Sequence, residues 1–151
     1  MTLVNYNIQL SINFIYNYIR RKLIKNTMNI NNEYETILNK LAKSKFRSSF
    51  HLSNRDFEFI ESKGIEVIKQ HTADFIRIKL ADAFPLNDGK QTPTKNHPTF
   101  IAMHACACCC RTCLAKWHNI PMQKPLTNDE KNYIWCLLLY WLNKQIINKK
   151  N

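Results

Sequence analysis

Glycine is nearly missing from this chain of 151 residues: Gly64 and Gly89 are the only two. A sandwich or barrel needs many tight turns, so the shortage argues against both. It also excludes phosphate loops of the G-x-G-x-x-G or G-x-x-x-x-G-K kind. No run of about 18 apolar residues occurs, so no membrane-spanning helix is expected. The N-terminus lacks a charged n-region, a clean apolar h-region and a small-residue cleavage site, and the expected setting is therefore a reducing cytoplasm. Acids are half as numerous as bases, 11 against 22, for a net charge of +11. That excess suits an anionic partner, nucleic acid first. A composition rich in Lys, Asn and Ile throughout explains it equally well, because no dense basic cluster stands out.

What is present is apolar substance and cysteine. Hydrophobic residues make up 45% of the chain, enough for one packed core and too much for global disorder. Residues 1–27 read as a poorly integrated extension or a mis-assigned start, with regular patterning beginning at Met28. Ile12, Ile15, Tyr16 and Ile19 are spaced for one helical face, although asparagines interrupt it. Four cations (Arg20, Arg21, Lys22, Lys25) stand there with no opposing acid, which leaves a basic amphipathic helix for a membrane surface or a partner as the alternative. Residues 28–151 are expected to form a single, mainly α domain of about five helices.

Within it, Tyr34, Ile37, Leu38 and Leu41 keep helical spacing. Ser53 with Asp56 marks a helix start, and Gly64 a stop. A helix from Ile65 is expected to run to Pro85. Residues 84–98, FPLNDGKQTPTKNHP, read as an ordered loop before a cysteine-bearing helix at about 98–118, with a break near Ala107 as the alternative to a continuous helix. Thr127 and Glu130 form a capping box for the last helix, whose core face is Ile134, Leu137, Leu138, Trp141 and Leu142. Trp135, Leu139 and Tyr140 broaden that face, so this helix is central or pairs with a second copy in a homo-oligomer.

The chemistry concentrates in HACACCCRTC, residues 104–113, which holds five of the six cysteines. Three readings compete. On one helix, Cys106, Cys109, Cys110 and Cys113 make an i, i+3, i+4, i+7 stripe, which is how any core face looks, and free cysteine packs as a small hydrophobe. A zinc site is the second reading. Four thiolates on one helix are spread over about 10 Å of rise and cannot share an ion. Two cysteines one turn apart, with His104, His118 or His97 added, could. The third reading is a reactive thiol beside Arg111, Lys116 or His118. The Lys43–Arg47 stretch with Phe46 and Phe50 could instead follow a nucleic-acid backbone.

NDGKQTP (87–93), HP (97–98), HA followed by CCRxCLxKWHxIP (109–121) and a late LT helix start together resemble a mainly bacterial family, domain-of-unknown-function family 4186. The resemblance spans roughly Leu41 to Leu142. It implies no known activity. The family pattern here looks like HATATCCRGCLxKWH, so this chain departs from it at Cys106, Cys108 and Thr112. The resemblance therefore implies Cys109, Cys110, Cys113, His104, His118 and His97 as the functional set. Asp88, Gly89, Lys90, Gln91 and Thr92 join as substrate contacts. The expectation is a helical domain with a Cys/His metal site, zinc by preference. Cys109, Cys113 and His118 would be ligands, with His104 or Cys110 as fourth. The alternatives are a metal-free enzyme with a Cys/His centre and a nucleic-acid-binding module with a basic surface.

Overall fold

The structure is a computed structural model that describes residues 3–151, with side chains from residue 15 onward. The expected role of Ile12 on a helical face lies outside the described side chains. Seven helices and no strand occur among the described residues, so the chain is mainly α. They are α1 (Leu3–Ala42), α2 (Lys45–Ser48), α3 (Asn54–Lys63), α4 (Ile65–Lys79), α5 (Pro98–Ala105), α6 (Arg111–His118) and α7 (Asn128–Lys150). Two compact units divide at Ile37 and Leu38, within α1.

The second unit holds the core. Leu41, Ile68, Ile76, Leu80, Met103, Leu114, Ile134, Leu137, Leu138 and Leu142 are almost fully buried there. α7 packs on α4 and α5 through Ile134, Leu137, Leu138, Trp141 and Leu142, the face that its 3.6-residue period predicts. Both capping boxes form. Ser53 and Asp56 open α3, and Thr127 and Glu130 open α7. Gly64, at φ 83°, joins α3 to α4 in a conformation that a side chain would strain.

Two boundaries differ from expectation and one follows it, each for a local reason. α4 ends at Lys79, short of Pro85. The carbonyls of Leu80, Ala81 and Asp82, which a further turn would use, accept tertiary bonds from Arg111 and from the Leu126 N–H. The KFRS stretch makes its own short helix, capped by the Ser44 side chain. The cysteine-bearing segment breaks in two, as its expected weak point near Ala107 suggested. Ala107 takes a left-handed φ of 54°, the Cys108 N–H reaches the Met103 carbonyl at 2.8 Å, and the Ala107 N–H reaches that of His104 at 3.3 Å. That pair of bonds is a Schellman ending, built here without glycine. The number of helices is seven rather than five because of this break and of the KFRS turn.

Candidate metal centre

The break at Ala107 decides what the cysteines can do. Cys106, Cys109, Cys110 and Cys113 do not share a helical face, because residues 106–110 are the connection between α5 and α6. Cys106 and Cys108 face the core with no exposure, and burial pushes both thiols well above the ordinary value. They behave as small hydrophobes, so the packing reading holds for these two cysteines.

The other three meet at the start of α6. Cys110 is its N-cap, and its sulfur accepts the Cys113 N–H at 3.3 Å. Cys109 precedes the cap and Cys113 follows it by one turn, with their sulfurs 3.6 Å apart. All three sulfurs lie within 4.8 Å of one another, close enough to hold a metal ion. The spacing C-C-x-x-C thus works through a helix N-terminus, where the Cys113 N–H and the helix dipole favour negative sulfur. Cys113 is the most solvent-accessible of the three. Its thiol is held well below the ordinary value, by hydrogen bonds from Cys109 and Cys110 first and then by Arg47. The Cys110 thiol is pushed up by donating to Cys109 and Cys113, and the Cys109 thiol is also raised. Of the three thiols, Cys113 is the one whose surroundings favour the thiolate.

Arg47 supplies the counter-charge. It comes from α2, 62 and 66 residues away from its sulfur partners. Its Nη2 lies 3.0 Å from Cys113 Sγ, and its Nη1 lies 3.3 Å from Cys109 Sγ and 2.8 Å from the His104 carbonyl. The sequence offered Arg111, Lys116 and His118 as cationic neighbours of the thiols and passed over Arg47. Arg111 points the other way. It is 1% exposed and donates to the carbonyls of Leu80, Asp82, Pro121 and Lys124, pinning two connections to the start of α6. Arg47 is likewise turned inward, and Phe50 stacks on the His104 ring. Lys43, Lys45 and Phe46 of the same stretch are exposed.

The histidines separate by their hydrogen bonds. His104 Nε2 faces the carbonyls of Thr92 and Pro93 at 3.0 and 3.1 Å. Carbonyls only accept, so Nε2 carries the proton and Nδ1 holds a lone pair. That Nδ1 is buried with no partner. His118 is fully engaged: Nε2 donates to the Cys106 carbonyl at 2.8 Å and Nδ1 accepts from Tyr133 Oη at 2.9 Å. His97 caps α5, with Nδ1 accepting from Thr99 N at 3.1 Å and Nε2 against His71 Nδ1 at 3.0 Å. Burial lowers the pKa of His97, His104 and His118 alike, favouring neutral rings. No histidine nitrogen joins the three sulfurs within 4.8 Å among the described residues.

The NDGKQTP loop braces the cluster. The Asp88 carboxylate accepts the Arg111 and Thr112 N–H groups at 2.8 and 3.1 Å, capping α6 from outside its own segment. Thr112 Oγ1 and Gln91 Nε2 also donate to Asp88. Thr92 Oγ1 donates to the Cys109 carbonyl at 2.8 Å, while the Thr92 carbonyl faces His104. Gln91 receives the Gly89 N–H and the Lys79 ammonium. Most polar groups of Asp88, Gln91 and Thr92 are thus spent inside the fold; Lys90 is exposed, and Gly89 turns at φ 95°.

Together these features define a small helical domain with a three-cysteine group, braced by a loop and an arginine, that can hold a metal ion. The family of domain of unknown function DUF4186 matches residues 35–143, and the chain belongs to it. No solved structure matches the chain.

Proposed function

We propose that the domain binds one zinc ion through Cys109, Cys110, Cys113 and His104. The observation that carries this reading is the convergence of three thiols at a helix N-terminus, within 4.8 Å of one another; His104, whose buried Nδ1 has no partner and lies outside that group, is the fourth ligand on this reading. A polar atom buried without a hydrogen bond is costly, and a ligand offsets that cost. The Nε2–H of His104 is held by backbone carbonyls, which is how ligating histidines are oriented. His118, the other histidine expected as a ligand, has both nitrogens engaged, so it steadies the turn through Cys106 instead.

Charge supports the same set. Three thiolates and one divalent ion leave a single negative charge, and Arg47 neutralises it. Zinc bound by four protein side chains has no open position, so its contribution is to fold the α5–α6 turn. A second reading rests on Cys113. Its low-lying thiol, 3.0 Å from a guanidinium and not fully buried, is also what a metal-free nucleophile looks like.

Elemental analysis of tag-free protein purified under reducing conditions separates the two. The proposal expects about one zinc per chain, lost in Cys109→Ser and Cys113→Ser and retained in His118→Gln. A well-folded protein without metal, whose Cys113 alkylates rapidly, would replace this reading with the thiol centre.

A further inference from the structure

The stretch of α1 from Ile15 to Asn32 carries no acid, and its first acid is Glu33. It carries Arg20, Arg21, Lys22 and Lys25. It also exposes large apolar side chains: Ile15 at 55%, Tyr16 at 64%, Ile19 at 50%, Leu23 at 61% and Ile30 at 46%. At about 100° per residue these five fall within an arc of about 100°. Arg20 borders the arc on one side and Lys22 on the other. Arg21 and Lys25 lie on the opposite face. Isolated exposed apolar residues need no explanation, whereas a row of five on one helix face does.

Three occupants fit a helix with an apolar face, and charge chooses among them. A second copy of the chain would pair Tyr16, Ile19, Leu23 and Ile30 at heptad spacing. Arg20 and Lys22 would then occupy both flanking positions and meet like charges, while Asn26 would sit in the seam. A nucleic acid would answer the cations and leave the isoleucines and Leu23 uncovered. A lipid surface rich in anionic headgroups answers both. The apolar face enters the acyl boundary, the tyrosines suit the interface, and the bordering cations reach headgroup phosphates and carboxylates. Tyr18, Ile24 and Met28, exposed outside the arc, would spoil a helix seam but not a fluid interface. No described helix is long and apolar enough to cross a bilayer, so the segment would lie on the surface.

We propose that residues 15–30 of α1 form an interfacial helix that docks the domain on anionic lipid. The inference is independent of the metal site.

The test is flotation of the full chain with vesicles of phosphatidylcholine alone and of phosphatidylcholine with about 30% phosphatidylserine, at about 0.15 M salt. Binding is expected only to the anionic vesicles. An Arg20→Gln, Lys22→Gln variant should bind more than tenfold more weakly, at about fivefold per cation. An Ile19→Asn, Leu23→Asn variant should lose binding at unchanged charge, and both variants should retain wild-type metal content and helicity. Failure to float with either vesicle overturns the proposal. So does equal binding by the Ile19→Asn, Leu23→Asn variant, which would leave charge as the sole cause. So does a dimer in sedimentation equilibrium that this variant abolishes while vesicle binding is absent.

Discussion

Replacing Arg47 by Met keeps the aliphatic stem of the side chain and removes the charge beside the sulfurs. The guanidinium nitrogens lie 3.0 and 3.3 Å from Cys113 and Cys109, so the charge centre is about 4 Å from each sulfur. At an effective dielectric of about 20, one unit of charge at that distance is worth about 4 kcal/mol. Three thiolates with a divalent ion leave one net negative charge, so about 4 kcal/mol is the gross attraction. Burial of the guanidinium, which is 8% exposed, offsets part of it. About 1.5–3 kcal/mol remains, or roughly 10- to 150-fold in the metal dissociation constant. Arg47→Met should weaken metal binding by that factor. Arg47→Lys should fall between the two, because an ammonium cannot reach both sulfurs and the His104 carbonyl as a fork does. Competition against a chromophoric chelator at pH 7.5 reads the effect directly. Arg47→Met protein that binds the metal within twofold of wild type would refute the charge argument and the ligand set behind it.

Three further outcomes follow from the braces around the cluster. Arg111→Met orphans carbonyls of Leu80, Asp82, Pro121 and Lys124 and should cost about 3–5 kcal/mol in urea unfolding, while a loss under 1 kcal/mol would show the pin to be dispensable. Asp88→Ala should cost about 1–2 kcal/mol by removing the cap on α6. Hydrogen bonds from Arg111, Gln91 and Thr112 hold the Asp88 carboxyl low against the pull of burial, so this contribution is lost as the pH falls through that lowered value; a pH-independent difference between wild type and Asp88→Ala would contradict it. Burial, helped by His71, holds the pKa of His97 down at about 4 against an ordinary 6.5. Metal-free protein is therefore at full stability from this group above pH 6.5 and loses at most about 3 kcal/mol as the pH falls towards 4. His97→Asn, which can still cap α5, should flatten that slope in denaturation curves taken across the interval, and an unchanged slope would assign the loss to another group.

The parts of the fold legible in the sequence were those set by neighbours in the chain. Ser53 with Asp56 and Thr127 with Glu130 announced two helix starts, and the spacing from Ile134 to Leu142 announced the central face of α7. The weak point at Ala107 was visible too, yet its consequence was not. A helical wheel drawn through residues 106–113 groups Cys106 with Cys113, whereas a left-handed Ala107 sends Cys106 into the core and leaves Cys110 as a cap. The resemblance to the family, with threonine where this chain has Cys106 and Cys108, separated the two sets of cysteines better than periodicity did. Arg47 was out of reach because its sulfur partners are more than 60 residues distant and nothing local marks it as inward-facing. Asp88 read as a turn former or a substrate contact because a cap supplied by a remote loop leaves no signature at the helix it caps. His104 and His118 looked interchangeable in sequence, and only the carbonyls of Thr92 and Pro93 and the hydroxyl of Tyr133 tell them apart.

X-ray absorption at the zinc edge of the purified protein tests the central claim most directly. Three sulfurs and one nitrogen around the ion is the predicted shell, with the nitrogen signal removed by His104→Ala and unchanged by His118→Gln. Four sulfurs, two sulfurs with two nitrogens, or a nitrogen signal that survives His104→Ala would contradict it.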